Sequence, residues 1–135
     1  MRWVNSGGVL LSLTVAALAG AGCTPMGSAE NRNASQAALD FEGSLTKPVH
    51  ACALLAPGTL AELEQSFGRC DKALPDQHLP VGTQVADVDV YGKDAIVRLD
   101  KDVVFLARFD DGWRVTAAGC TPRLDRPFTC TIKGP

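Results

Sequence analysis

The sequence predicts an α+β domain in which three short N-terminal helices pack on a curved antiparallel meander sheet stapled by two disulfides. Three observations support this fold class. Apolar residues recur at helical spacing between positions 35 and 68, the period changes to two between positions 85 and 119, and cysteines occur in two closely spaced pairs. A chain of 135 residues has room for one such domain, which we place at residues 35–135.

Each predicted helix has a start or stop signal in the sequence. Ser35 is a suitable N-cap for the first helix, and Pro48 opens the second, where its missing N–H costs nothing. Thr59 and Glu62 have the spacing of a capping box at the start of the third, and Gly68 ends it. The helices are predicted at residues 36–42, 48–55 and 59–67. The following residues contain two prolines and no clear period, which indicates a connecting loop at 71–83.

Strands joined by short links follow this loop and predict a meander of hairpins. They are expected at residues 85–91, 94–99, 103–109 and 113–119, with a shorter one at 128–132. A two-residue turn after Tyr91 places Val88 opposite Val97. The same register places Asp87 opposite Arg98, a favourable cross-strand charge pair.

The register also predicts which side chains the helices cover. Three-residue loops at the next two turns continue one apolar face through all four strands. This face would contain Ala86, Val88, Val90, Ala95, Val97, Leu99, Val103, Phe105, Ala107, Phe109, Trp113, Val115 and Ala117. It has no acid, histidine or tyrosine, and therefore lacks the buried acid–base pair that a small hydrolase or isomerase requires.

The opposite face of the sheet is the predicted interaction surface. An apolar centre rimmed by cations is typical of a modest site for a protein partner or a second copy of the chain. Scattered apolar residues on a half-exposed sheet are the alternative interpretation. The residues of this predicted surface are Ile96, Val104, Leu106, Arg98, Arg108 and Arg114.

The N-terminus has the three parts of an export signal. Arg2 supplies the positive charge, an apolar run follows from Val9 to Ala19, and small residues precede Cys23. The run is shorter than the roughly 20 residues needed to cross a bilayer as a helix. Small residues ending at a cysteine resemble the bacterial lipobox, which implies removal of residues 1–22 and acylation of Cys23. A plain secretory signal with an incidental cysteine is the alternative.

Lipid on Cys23 would anchor the chain to the outer face of the cell membrane, and residues 23–34 would form a flexible tether. It would also explain an odd total of five cysteines, because four remain for pairing. Three pairings are possible; proximity in sequence favours Cys52–Cys70 and Cys120–Cys130. Buried free thiols are the alternative.

Composition and spacing argue against several classes of function. A net charge of −2 and few aromatics give no basic face for nucleic acid. His50 cannot activate a neighbouring thiol that is already in a disulfide, and Asp40 fits a solvated helix position. The acidic turns at 100–102 and 110–111 are too short to bind calcium alone. We expect no metal and no cofactor.

Two resemblances add to this interpretation. The segment FDDGWRV (Phe109–Val115) resembles the late hairpin of the nuclear transport factor 2-like superfamily, which implies a cone-like sheet with a pocket inside. The segments ACALLAP (Ala51–Pro57), DGWRVTAAGC (Asp111–Cys120) and PFTC (Pro127–Cys130) resemble a group of uncharacterised actinobacterial lipoproteins. Neither resemblance supplies an activity.

The sequence therefore favours a non-enzymatic, membrane-anchored extracytoplasmic lipoprotein that acts as a binding or envelope-accessory module. Its small-molecule ligand, if it has one, is not identified by these patterns. The alternative is a small cone-fold hydrolase or isomerase acting on an apolar ligand, since enzymes of the superfamily place an Asp general base inside the cone. An enzyme of that kind requires a deep pocket with a desolvated acid.

Overall fold

A computed structural model describes residues 26–135, in which four helices precede a five-stranded antiparallel sheet. The elements are α1 Met26–Gly43, α2 Pro48–Ala53, α3 Pro57–Phe67, α4 Cys70–Asp76, β1 Val85–Tyr91, β2 Asp94–Leu99, β3 Val103–Phe109, β4 Gly112–Arg123 and β5 Arg126–Lys133. The strands pair in chain order, as a meander requires. The α+β class and the antiparallel meander are confirmed, with four helices instead of three.

Helix α1 begins nine residues earlier than Ser35, so the prediction of a flexible tether is wrong for residues 26–34. Long-range contacts explain the difference. Glu30 Oε2 accepts the Trp113 Nε1–H at 3.0 Å, and Glu30 Oε1 lies 3.2 Å from Arg108 Nη1. Ala34, one turn later, is fully buried. The export signal and Cys23 lie outside the described residues.

Helix α4 replaces part of the loop predicted at 71–83. The loop was predicted because Pro75 disfavours a helix interior. In the structure Pro75 lies in the last turn of α4. At the other end, the Cys70 N–H donates to Glu64 Oε1 at 3.1 Å and the Cys70 side chain is bonded to Cys52 on α2. Covalent and side-chain contacts therefore hold a helix that its own sequence does not favour.

Both predicted disulfides are present. Cys52–Cys70 joins α2 to α4, and Cys120–Cys130 joins directly opposed positions on β4 and β5. Closing a loop as long as that between Cys52 and Cys70 stabilises the fold by about 3 kcal/mol in the chain-entropy model. Such a term is a large share of the net stability of a domain of this size.

Strand β4 pairs with β3 through its first half and with β5 through its second. Where β5 ends, the short segment after α2 takes its place beside β4. The Val115 N–H donates to Leu54 O at 3.0 Å, and the Ala56 N–H donates to Val115 O at 2.8 Å. Bulges interrupt the β3–β4 and β4–β5 pairings, and bulges generally bend the strand that carries them.

The β1–β2 register is confirmed over most of its length, with Val88 opposite Val97 and Asp87 opposite Arg98. Arg98 Nη1 contacts Asp87 Oδ2 at 2.9 Å and also Asp89 Oδ2 at 2.8 Å. The placement of Ala86 on the buried face is wrong. A bulge between Val85 and Asp87 sets Val85 opposite Leu99 and leaves Ala86 exposed.

The predicted register of β3 is wrong by one residue. The β2–β3 connection is a two-residue turn, because the Leu99 N–H bonds Asp102 O at 2.8 Å and Arg98 pairs with Val103. Every side chain of β3 therefore faces the opposite way. Val104 and Leu106, predicted to face outward, are 0 % and 1 % exposed. The residues on the other side of β3 are Val103, Phe105, Ala107 and Phe109.

The one-residue shift in the register of β3 also separates the residues of the predicted interaction surface. Ile96 and Arg98 stay on the outer face, whereas Val104 and Leu106 are core residues. Arg108 turns to Glu30 on α1, as described above. The sixth residue, Arg114, donates to Ala53 O at the end of α2 and pairs with Asp111. Because these six residues do not share one surface, we do not assign them a partner.

Candidate functional site

A buried carboxylate, Asp102, ends the β2–β3 turn and faces the core at 5 % exposure. Its Oδ1 accepts the N–H groups of Val103 at 2.7 Å and Cys120 at 3.1 Å, and its Oδ2 accepts that of Gly119 at 2.9 Å. Three backbone donors on two strands therefore converge on one side chain. Asp102 fastens the β2–β3 turn to the middle of β4.

A second buried carboxylate, Glu42, comes from α1 and is 1 % exposed. It lies four residues after Ala38 on the buried face of the helix. Its Oε2 accepts the Gly82 N–H at 2.9 Å. A Cβ at Gly82 would lie 2.6 Å from Leu99 Cβ, so only glycine brings its backbone this close to the sheet.

The two carboxylates interact, and the interaction determines the protonation of Glu42. Burial raises the pKa of Glu42 to about 8; the Gly82 N–H opposes this rise, and the hydrogen bond and charge of Asp102 add to it. Among the described residues, Glu42 Oε1 has no hydrogen-bond donor. A proton on Glu42 resolves this, because the protonated carboxyl can donate to Asp102.

Raising the pH is expected to weaken the fold through Glu42. The folded chain retains a proton up to about pH 8 that the unfolded chain releases near 4.5. The free energy of unfolding therefore falls between these values, by at most about 1.4 kcal/mol per pH unit for one proton. Urea unfolding of the wild type at pH 5 and pH 8 measures this fall.

The matched variant is Glu42→Gln, which keeps an oxygen for Gly82 and an N–H donor for Asp102 but cannot ionise. Its free energy of unfolding is expected to vary less between pH 5 and pH 8 than that of the wild type. Equal pH dependence of the two proteins would contradict the assignment of a buried proton to Glu42.

An aromatic groove of about 540 Å³ lies between the outer face of β3, β4 and β5 and the first turn of α3. Its volume is within the roughly 300–1,000 Å³ typical of small-molecule sites. The ring of Phe105 meets that of Phe128 edge-on, with centroids 5.2 Å apart. The groove is lined by Ala56, Gly58, Thr59, Phe105, Phe109, Thr116, Ala117, Pro127, Phe128, Cys130, Lys133, Gly134 and Pro135.

The groove follows from the register of β3 and from the bulge in its pairing with β4. The two-residue turn at 100–101 puts Phe105 and Phe109 on the outer face. The bulge places Ala117 opposite Phe105, and Ala117 also pairs with Lys133 on β5. The row Phe105–Ala117–Lys133 thus crosses three strands. A small residue between a ring and a long side chain leaves a depression between them.

A polar cleft of about 380 Å³ lies between α1 and the β3–β4 turn. Glu30 is its central charge and is already engaged by Trp113 and Arg108. Asp40, the acid singled out from the sequence, also lines this cleft and accepts a hydrogen bond from Gln36 Nε2 at 2.7 Å. The contacts of Glu30 in this cleft hold α1 on the sheet, which is a structural role.

The two histidines and the carboxylates of the β-turns do not form a site. His50 is exposed beside a cysteine in a disulfide, and His78 is exposed at a positive φ of 50°. Asp100 accepts the backbone N–H of Thr83 at 2.8 Å, and Asp111 pairs with Arg114. In residues 26–135 no cluster of three or more His, Cys, Asp or Glu side chains could hold a metal ion.

Sequence reasoning missed Glu42, Asp102 and the aromatic groove. Glu42 lies four and eight residues after Ala38 and Ala34, so helical spacing alone could have marked it as buried. Asp102 and the groove depended on whether the β2–β3 turn has two or three residues. The sequence Asp100-Lys101-Asp102 is compatible with either length.

No helix of the described residues is long and apolar enough to cross a membrane. No protein-family model, no curated protein and no solved structure matches the chain. The function must therefore be argued from the geometry of the groove and of the two buried carboxylates.

Proposed function

We propose that this protein is a non-catalytic binding module that holds an apolar ligand in the aromatic groove on its sheet. The supporting observation is the groove itself, which has three phenylalanines in its lining and a volume of about 540 Å³. Ligand sites are typically concave and apolar, with a few polar groups that orient the ligand. The exposed ring edge of Phe109 adds apolar surface that a ligand could cover.

Binding accounts for the geometry better than the alternative of a small hydrolase or isomerase. Acid–base chemistry needs a titratable group within hydrogen-bond reach of the substrate. Glu42 has the raised pKa that such chemistry uses, but neither it nor Asp102 lines the groove or the cleft. The hydrogen bonds of both carboxylates are directed to the backbone of their own fold.

The proposal includes anchoring to the outer face of the cell membrane through lipid on Cys23. The two disulfides are consistent with an oxidising compartment. Cells grown with radioactive palmitate are expected to label the wild-type chain and not the Cys23→Ala chain. Equal labelling of the two chains, or no label on the wild type, would contradict acylation of Cys23.

We also propose a fold relationship with the nuclear transport factor 2-like superfamily, and a relationship with actinobacterial lipoproteins. The bulges in the pairings of β4 support the first of these, since bulges bend strands and a sheet that curves around helices is the basis of the cone. Here α1 contacts β1, β2, β3 and β4, and α3 contacts β4 and β5. The core and the carboxylate pair lie between the helices and the sheet, whereas the proposed ligand site lies between the outer face of β3, β4 and β5 and the first turn of α3.

The groove is tested with Nile red, an uncharged dye whose emission shifts to the blue in apolar sites. Phe105→Ser is expected to weaken dye binding at least about fivefold, because it removes the ring that contacts Phe128. Tyr91→Ser is the matched control, because Tyr91 is an outward aromatic, 52 % exposed, that does not line the groove. Equal dye binding by wild type and Phe105→Ser, with both folded by circular dichroism, would refute the proposed site.

A further inference from the structure

We infer that the groove takes a single-chain amphiphile with an anionic head, such as a fatty acid, and that Lys133 holds the head. This inference rests on the proposed function and names its ligand class. It starts from the distribution of charge over the groove lining, which contains a single ionisable side chain.

Lys133 is the only charged side chain among the lining residues, and no acidic side chain is among them. It is exposed and forms no ion pair with any described residue. Glu62 lines a smaller neighbouring pocket that Lys133 also borders, but the two are not paired. A free ammonium beside an apolar groove favours a ligand that has one negative group.

The register determines how such a ligand would lie. Lys133 is opposite Ala117, which is opposite Phe105. The ammonium group of Lys133 is therefore carried at the same level along the strands as the Phe105 ring. Phe109 lies four residues further along β3, about 13 Å at the usual rise per residue. An anionic head at Lys133 and an apolar chain extending past Phe105 towards Phe109 therefore match the two ends of the groove.

The same lining argues against other ligand classes. A cationic ligand would meet Lys133 and no acidic side chain among the lining residues. A nucleotide would need several donors for its phosphates, whereas Thr59 Oγ1, one of the few polar atoms present, already donates to Thr116 O at 2.9 Å. The ligand class that fits the lining is therefore a small apolar molecule with one negative group.

The test measures binding of three twelve-carbon probes below their micellar concentrations: laurate, dodecanol and dodecyltrimethylammonium. The protein is the chain from residue 23 onward with Cys23→Ala, which has neither the export signal nor an acyl group, so that no detergent competes for the groove. Equilibrium dialysis is expected to give a Kd for laurate at least about fivefold lower than for dodecanol, with the cationic probe weakest.

Charge variants locate the head. Lys133→Glu is expected to weaken laurate binding about tenfold and to leave dodecanol binding within twofold. Lys93→Glu makes the same charge change in the β1–β2 turn, away from the groove, and is expected to leave both unchanged. An equal loss of laurate binding in the two variants would overturn the role of Lys133, since a general charge effect would explain it.

The outcomes separate this inference from the proposed function. Dodecanol and laurate binding equally well, both sensitive to Phe105→Ser, would overturn the anionic head and leave the apolar site standing. Failure of all three probes to bind would refute the site itself. Binding to phosphatidylglycerol vesicles without binding of dissolved laurate would also overturn the inference, because the groove would then be a membrane contact.

Discussion

Val104→Asp is expected to prevent folding, whereas Val103→Asp, one residue earlier on the same strand, should leave a folded protein. Val104 is fully buried opposite Val97 in the core. An unpaired carboxylate there is strongly unfavourable, and we expect a loss of more than about 4 kcal/mol, close to the whole stability of a small domain.

Val103 is the matched control because the same substitution there meets the opposite environment. It is half-buried on the outer face and pairs with Arg98. A carboxylate opposite an arginine on adjacent strands is a favourable pair. Urea unfolding followed by circular dichroism measures both variants. If Val103→Asp were the more damaging of the two, β3 would have to lie in the register that places Phe105 in the core.

Asp102→Ala is expected to produce the second largest loss, at least about 3 kcal/mol. Its carboxylate accepts N–H groups from Val103, Gly119 and Cys120, and the substitution leaves these donors without their partner. An unsatisfied buried donor costs about 1–3 kcal/mol. The protonated carboxyl of Glu42 would lose its acceptor as well.

The control for this prediction is Asp100→Ala, two residues earlier. Asp100 Oδ1 also accepts two backbone N–H groups, from Thr83 at 2.8 Å and Gln84 at 3.2 Å. Its carboxylate is exposed, so water can replace it, and we expect a much smaller loss. Chemical denaturation at pH 6 compares the two variants. Similar losses would mean that burial of Asp102 contributes little to its effect.

The sequence predicted those features that depend on contacts between neighbouring segments. The β1–β2 register followed from the turn after Tyr91, and both disulfides followed from cysteines close in sequence. The predictions failed where a distant contact decides the outcome. Helix α1 extends back to Met26 because Trp113 and Arg108 hold Glu30. Both residues are far from Glu30 in the sequence, so the pattern of residues around Glu30 does not predict the contact.

One ambiguous turn had the largest consequence for the candidate site. Asp100-Lys101-Asp102 can close a hairpin with two or three residues, and the side-chain period of two converts that choice into a reversal of β3. The prediction therefore placed Phe105 in the core and left Asp102 in solvent. Because of these two errors, the sequence predicted neither the aromatic groove nor the buried carboxylate of Asp102.

The early start of α1 would limit how far the domain can travel from a lipid on Cys23. Two residues, Thr24 and Pro25, separate Cys23 from Met26, and the three Cα–Cα steps between them span at most about 10 Å in an extended chain. If Cys23 is acylated, the domain stays beside the phospholipid headgroups. A flexible tether over residues 23–34 would have let it move further from the membrane. A ligand leaving the groove would then be released no further from the bilayer than the width of the domain itself.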